Sequence, residues 1–182
     1  SVHEKKLGSG AYGSVQLGTV HDGISGATHS VAVKLIAEER MRPESLSREA
    51  SILERLNGVD HPSTVNFYGW FKPGSRTVRA DDPELSASLK TSHCFVMETM
   101  HGGELFEYVL RRKALSEAEA APFLRQIAEG LLCAHTRGIA HRDLKLENVL
   151  FAGEAGPSGR LKLLDWGLAH QHAVRPDGSI VG

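Results

Sequence analysis

The segment His141-Arg-Asp-Leu-Lys-Leu-Glu-Asn148 concentrates side chains that can do chemistry. Asp143 can take or orient a hydroxyl proton, and Lys145, two residues on, can neutralise charge on a phosphoryl group in transfer. Asn148 offers an amide oxygen, and Mg²⁺ prefers hard oxygen ligands while keeping several waters. Five residue types (His141, Arg142, Asp143, Lys145 and Asn148) meet at these spacings by chance only about once in a few million positions. The plain alternative, a polar loop with satisfied side chains, is outweighed by the neighbouring motifs. Asp165-Trp-Gly167 follows the apolar run Leu161-Lys-Leu-Leu164. An aspartate at the end of a buried strand is costly unless paired or metal-bound, whereas in an open loop it simply forms a turn.

A second set lies near the start of the chain. Gly8-Ser-Gly10-Ala-Tyr-Gly13-Ser-Val15 has the form G-x-G-x-x-G-x-V, in which glycines let backbone amides approach phosphates. Alone it also suits a hairpin turn. A dinucleotide-binding fold would need a helix directly after the glycines, but Ser14 to Thr19 reads as a strand. Lys34 stands within the apolar strand Val31-Ala-Val-Lys. It either snorkels from an edge or needs an anion, such as a phosphate or a helix carboxylate. Glu49 lies on the apolar side of the next helix, beside Ala50 and Leu53, where a solvated glutamate is the ordinary case. Together they suggest a Lys–Glu pair.

These residues need a scaffold in two parts. Up to Glu98 the chain is strand-rich, with turn residues at His21–Gly26 before a strand over Ser30–Ile36, and further strands at Val65–Phe71 and Cys94–Glu98. One amphipathic helix interrupts them, Pro43–Asn57, with Leu46, Ala50, Leu53 and Leu56 on its apolar stripe. The Ser-, Asp-, Arg- and Pro-rich stretch Pro73–His93 reads as a long, mobile surface connection. After Gly102-Gly103 helices dominate. Glu104–Arg112 is short, with Arg111-Arg112-Lys113 as its solvated end. Ser116-Glu-Ala-Glu119 is a capping box for a helix to about Arg137, with Phe123, Leu124, Ile127, Ala128, Leu131 and His135 on one face and Gly138 at its end. Short strands follow at Val149–Phe151 and Leu161–Leu164, around the turn Gly153–Gly159. The fold class is therefore α+β in two lobes, with the boundary near Thr99–Gly103.

Composition agrees with a globular chain of this kind: 182 residues, 41% apolar and 24% charged. Two cysteines do not make a disulfide framework, which favours a reducing, intracellular and cytoplasmic setting. Lys and Arg number 11 against 11 acids up to Met97, and 10 against 11 beyond it. Neither part carries a bulk field for nucleic acid or a membrane surface, and no apolar run is long enough to span a bilayer. His170 and His172 lack a third ligand nearby in sequence, so no metal site is read there.

The order of Gly-rich loop, Val-Ala-Val-Lys34, Glu49, His-Arg-Asp143-Leu-Lys145-x-x-Asn148 and Asp165-x-Gly resembles the signature set of eukaryotic protein kinases across essentially the whole chain. The resemblance implies a bilobal fold, with a small antiparallel β N-lobe (1–98), a hinge (99–103) and the first part of a helical C-lobe (104–182). It implies ATP and Mg²⁺. ATP would lie against Leu7, Gly8, Gly10, Gly13, Val15, Ala32 and Leu150, with Met97 as gatekeeper, and Glu98 and Met100 offering backbone groups to adenine. Lys34 would contact the α- and β-phosphates and pair with Glu49. Asp143 would be the catalytic base, Lys145 the γ-phosphate contact, and Asn148 and Asp165 the metal ligands. Glu104 matches a position that contacts ribose or a basic substrate residue. The lysine two residues after Asp143 is similar to the Ser/Thr type, and Gly102–Phe106 with Ile139–Leu150 looks most like the calcium/calmodulin-dependent group. The implied partner is a protein with a Ser or Thr acceptor, with basic residues upstream read by Glu104 and Glu147. Ser179 falls where an activating kinase would act, and Arg142 where that phosphate would be received.

By the same resemblance Leu53, Phe67, His141 and Trp166 form the regulatory spine, and Val15, Ala32, Leu105 and Leu150 line the adenine side. Trp166 replaces the usual Phe, and its indole N–H wants a partner. Pro73–His93 and Gly153–Gly159 lengthen two connections. The chain begins at Ser1 and stops at Gly182, before any Ala-Pro-Glu segment, which reads as a fragment with little or no activity of its own. The rival from another class is a pseudokinase-like nucleotide-binding scaffold; the presence of Lys34, Asp143, Asn148 and Asp165 weighs against it.

Overall fold

The computed structural model describes residues 1–10, 13–21, 26–57, 61–80, 82–173 and 175. Two compact units emerge, one of Ser1–Ala50 with Asn66–Thr99, the other of Ser51–Val65 with Met100–Gly182. The division is not linear in sequence, because the second unit takes in Ser51–Val65.

The first unit is built on an antiparallel sheet of β1 (Val2–Gly10), β2 (Gly13–His21), β3 (Thr28–Ala37), β4 (Phe67–Phe71) and β5 (Ser92–Glu98), in the order β1-β2-β3-β5-β4. β3 is central, which removes the edge-strand reading of Lys34. Alternation along a strand sends Val31, Val33 and Leu35 to one face and Ala32, Lys34 and Ile36 to the other. From Val31 to Ile36 β3 is buried on both faces and apolar apart from Lys34, while Thr28–Ser30 are exposed. Helix α1 (Pro43–Asn57) follows, with Leu46, Ala50, Leu53 and Leu56 all buried at the expected spacing.

The covering of the first face corrects the reading of Pro73–His93 as a mobile surface connection. This stretch contains helix α2 (Pro83–Leu89), and its last two residues, Ser92 and His93, already belong to β5. The Asp82 side chain accepts from Leu85 N at 2.8 Å as N-cap, and Pro83 occupies the first turn. Leu85 and Leu89, four apart on one helix face, are buried with Val2, Val31, Val33, Leu35, Cys94 and Val96. Upstream, Val2 N donates to Arg79 O at 2.7 Å, and Val2 bridges Ala80 beside the edge strand β1. The polar composition hid two leucines that the sheet requires as a cover.

The second unit contains α3 (Leu105–Arg112), α4 (Glu117–His135) and four short strands: β6 (Ile139–Ala140), β7 (Val149–Phe151), β8 (Leu161–Leu163) and β9 (His170–Gln171). The capping box at Ser116 and Glu119 is present in both directions. Arg112 reaches the Glu119 carboxylate, so the basic end of α3 is more than a solvated one. The buried stripe of α4 is Phe123, Ile127, Gly130 and Ala134, with Cys133 beside it. Leu124 is 64% exposed, and Ala128 and His135 are also exposed, so the expected face is rotated. Gly130 is small for a reason: a Cβ there would sit 3.0 Å from both Leu163 and Ser63. Tyr108, Phe123 and Phe151 pack edge to face, with centroids 5.3–5.8 Å apart. No helix among the described residues is long and apolar enough to cross a membrane.

Candidate functional site

In the first unit, strand register assembles the candidate residues. Val15 lies opposite Lys34 across β2–β3, and Ala32 opposite Met97 across β3–β5. Ala32 and Lys34 are two apart and therefore share a face. The hairpin β1–β2 pairs Gly10 with Gly13 at its tip, while Ala11 and Tyr12 lie outside the described residues. Gly13 is dictated by packing, since a Cβ there would fall 1.8 Å from Leu35 O. Gly8 is different, because a Cβ would meet nothing within 4 Å. Nothing in the protein's own packing demands glycine at that position, and Leu7 beside it is exposed.

Lys34 Nζ donates to Glu49 Oε1 at 2.7 Å, with the lysine side chain 17% and the glutamate 2% exposed. A carboxylate that deeply buried needs its cation. Its second oxygen, Oε2, is buried without a hydrogen-bond partner, an uncompensated acceptor beside the ammonium. Glu98 Oε1 accepts from Asn66 N at 2.6 Å, and Asn66 O accepts from Glu98 N at 3.0 Å. This reciprocal tie to the residue before β4 was not evident in the sequence, where Asn66 was only one residue of a strand.

In the second unit, two tiny sheets place two loops side by side. β6 pairs with β9 and β7 with β8. Residues 141–148 connect β6 to β7, and 164–169 connect β8 to β9, so each loop is anchored at both ends. Cross-bonds join them: Leu164 N donates to Asn148 O at 2.9 Å, and Arg142 Nε to Leu168 O at 2.8 Å. Arg142, at φ 65°, and Asp165, at φ 56°, both hold left-handed backbone. Such strain in non-glycine residues persists only where the surroundings enforce it.

His141 is the internal brace. Its Nε2 lies 2.9 Å from Leu164 O and its Nδ1 accepts from Asp143 N at 3.3 Å. A carbonyl only accepts, so Nε2 carries the proton and the ring is neutral. Burial pushes its pKa down, partly opposed by the Leu164 carbonyl and the nearby Asp165 and Asp143 carboxylates. Trp166 packs on it at 4.4 Å, and the indole N–H donates to Leu163 O at 3.2 Å, which supplies the partner the larger ring requires. Leu53, Phe67, His141 and Trp166 are all buried.

Asp143 is surrounded by donors. Lys145 Nζ reaches Oδ2 at 2.9 Å, and Asn148 Nδ2 reaches Asp143 O at 2.8 Å and Oδ2 at 3.0 Å. The lysine first, and then the asparagine amide, hold the Asp143 carboxyl below its usual range; the same contact raises Lys145. Asn148 commits its NH₂ to Asp143, leaving the amide oxygen as the hard donor suited to Mg²⁺. Asp165 is the last residue before the Trp166–Leu168 turn, and its charge acts on both His141 and Lys145. Glu104, just before α3, bridges Leu150. Its pKa is raised by burial and by Glu107 and Glu147. Met100 is half-buried, Leu105 is buried and Leu150 half-buried. Ser179 lies outside the described residues.

Two supports escaped the sequence reading. Buried Lys162 donates from Nζ to Thr64 O at 3.0 Å, beside the bridge Thr64–Leu163, and this ties Ser63–Thr64 to β8. A lysine inside a three-residue apolar strand was the available signal. Gln126 on α4 clamps the β7–β8 hairpin, donating to Gly159 O at 3.1 Å and accepting from Leu161 N at 2.9 Å. Nothing local in the sequence marks that role.

The protein kinase domain model matches residues 1–179. Death-associated protein kinase 2 of Mus musculus is 34% identical over 128 residues, covering 70% of this chain and 30% of that protein. NUAK family SNF1-like kinase 2 of Rattus norvegicus is 33% identical over 168 residues, 90% of this chain and 22% of its own. MAP kinase-interacting serine/threonine-protein kinase mnk-1 of Caenorhabditis elegans is 34% identical over 168 residues, 92% and 21% respectively. The chain thus spans less than a third of these curated relatives. Its sequence motifs, its α+β fold and the match over nearly its whole length converge: the chain belongs to the protein kinase family.

Proposed function

We propose that the protein transfers the γ-phosphoryl group of Mg-ATP to Ser or Thr hydroxyls of proteins. The observation that carries this reading is Asp143, an ionised carboxylate positioned by Lys145 and Asn148 on a loop braced by His141. The acceptor hydroxyl oxygen bonds to the γ-phosphorus as the bond to the bridging oxygen breaks, and ADP leaves. Asp143 orients the hydroxyl and receives its proton, while its depressed pKa keeps it ionised for that task. Lys145 offsets charge on the transferring group, and Lys34, held by Glu49, serves the other phosphates. The residues fit the nucleotide and the ion: Gly8 leaves room where a side chain would stand, and Asn148 and Asp165 supply hard oxygens. Mg²⁺, when bound, neutralises phosphate charge.

Acceptor segments with upstream Arg or Lys are the preferred class. Glu104 is raised by burial beside Glu107 and Glu147, so an arriving guanidinium relieves their repulsion. Ser179 is the proposed target of an activating kinase. The test compares phosphate transfer to a Ser peptide carrying Arg two and three residues upstream with transfer to its Ala-substituted counterpart. Faster transfer to the basic peptide, lost in Glu104→Gln/Glu147→Gln, supports the reading. Equal rates remove the basic preference, and binding of Mg-ATP without transfer to any peptide by a C-terminally extended chain overturns the catalytic reading.

A further inference from the structure

The stretch between β4 and β5 does more than cover the sheet. On one side of α2 it borders an open hollow of about 400 Å³, lined by Ser75, Arg76, Val78, Arg79, Leu89 and Lys90 among others. On another side of α2 lies a second hollow, where the charged lining residues are Glu4, Asp82 and Glu84. The helix therefore keeps opposite charges apart. Arg76, Arg79 and Lys90 form no ion pair with any described residue, and their side chains are exposed.

The hollow is held on firm elements. Leu89 is 7% exposed in the core under the sheet cover, and Gly74 N donates to Leu89 O at 3.0 Å. Arg79 is fixed through its carbonyl to Val2 N, and Val78 and Ala80 pack against the same core. Folding accounts for the apolar residues. It does not account for three cations around one concavity in a chain whose net charge is −1.

We infer that this hollow docks an acidic segment of a partner protein, its carboxylate or phosphate groups taken by Arg76, Arg79 and Lys90 and an apolar neighbour set against Val78 and Leu89. Guanidinium groups recognise such oxyanions through paired, charge-assisted hydrogen bonds. The mixed lining favours a peptide over a bare polyanion, because Val78 and Leu89 offer contact that a sugar-phosphate chain does not use. The docking is separate from phosphoryl transfer, since none of the lining residues belongs to the candidate catalytic or nucleotide set.

The test is fluorescence anisotropy of the whole chain with a labelled ten-residue peptide of Asp and Glu around a central phosphoserine and one Leu. We expect saturable binding that weakens with salt and falls at least about tenfold in Arg76→Glu/Arg79→Glu/Lys90→Glu. The thermal midpoint of that variant should match the parent, and Arg111→Glu/Lys113→Glu should bind as the parent does. A single Arg79→Gln variant, milder for folding, should lose part of the affinity. Absence of binding by the parent chain overturns the inference, as does an equal loss in the α3 variant. Tighter binding of a single-stranded RNA of equal charge would overturn it in favour of nucleic acid. Loss of affinity on replacing Leu of the peptide by Ser supports the apolar contact.

Discussion

The two halves of the candidate chemistry are built in opposite ways. Lys34 and Glu49 lie 15 positions apart, on a central strand and a helix, and the carboxylate is almost wholly buried. Asp143, Lys145 and Asn148 lie within six residues, bond to one another, and leave Asp143 28% and Lys145 48% exposed. A buried pair of distant residues is part of the fold's stability as well as of the proposed chemistry. A local, solvated cluster can be altered while the fold stands. Function and stability should therefore be coupled in the first unit and separable in the second.

The strongest test of that contrast is Asp143→Asn, which should lower phosphate transfer by about 10³-fold or more, while the urea midpoint stays nearly unchanged. A large stability loss in this variant would break the comparison. Lys34→Met should damage both properties. It leaves the Glu49 carboxylate buried without its cation, at a cost of about 3 kcal/mol by urea unfolding. Adding Glu49→Leu should restore much of the stability and none of the transfer. Leu89→Ala, outside both clusters, should cost about 2–3 kcal/mol and leave transfer per folded molecule intact, because it opens a cavity in the sheet's cover. Trp166→Phe should cost only about 1 kcal/mol, mainly the indole hydrogen bond to Leu163 O, with transfer retained.

The smallest effect is a pH dependence. Burial lowers the pKa of His141 and also of His93, so the native state favours their neutral rings. The unfolded chain then binds more protons in the window below the ordinary histidine value of about 6.5. Their contribution to stability is complete above that value and declines as pH falls through it. His141→Gln should flatten this decline in chemical denaturation between pH 7 and pH 5.5, leaving the part due to His93. In His93 the neutral form is further required by the Trp70 indole, which donates to Nδ1 at 3.2 Å.

Much of this was legible from residue order. The loop 141–148 reads directly because its bonds span two to five residues, and spacing alone then dictates who can meet. Helix α1 matches its expected bounds, and the capping box at Ser116 and Glu119 is present, because periodicity and capping are local. The stretch Pro73–His93 failed for the reverse reason. Its composition is that of a loop, and only the outer face of the sheet explains why Leu85 and Leu89 must be buried. Leu124 failed similarly: it fits a plausible apolar stripe, yet the face of α4 that packs is set by Gly130 against Leu163 and Ser63.

Sequence alone thus determined the family, the candidate residues of the 141–148 loop and the stripe of α1, since each depends on near neighbours or on a fixed period. Tertiary structure decided the rest. It chose neutral His141 with its proton on Nε2, through a carbonyl 23 residues away. It made Glu49 a buried partner instead of a solvated helix acid. It also left Arg76, Arg79 and Lys90 around one hollow, with Asp82 and Glu84 lining another beside the same helix. Burial and charge neighbourhoods are properties of surfaces brought together by folding, and no local spacing encodes them.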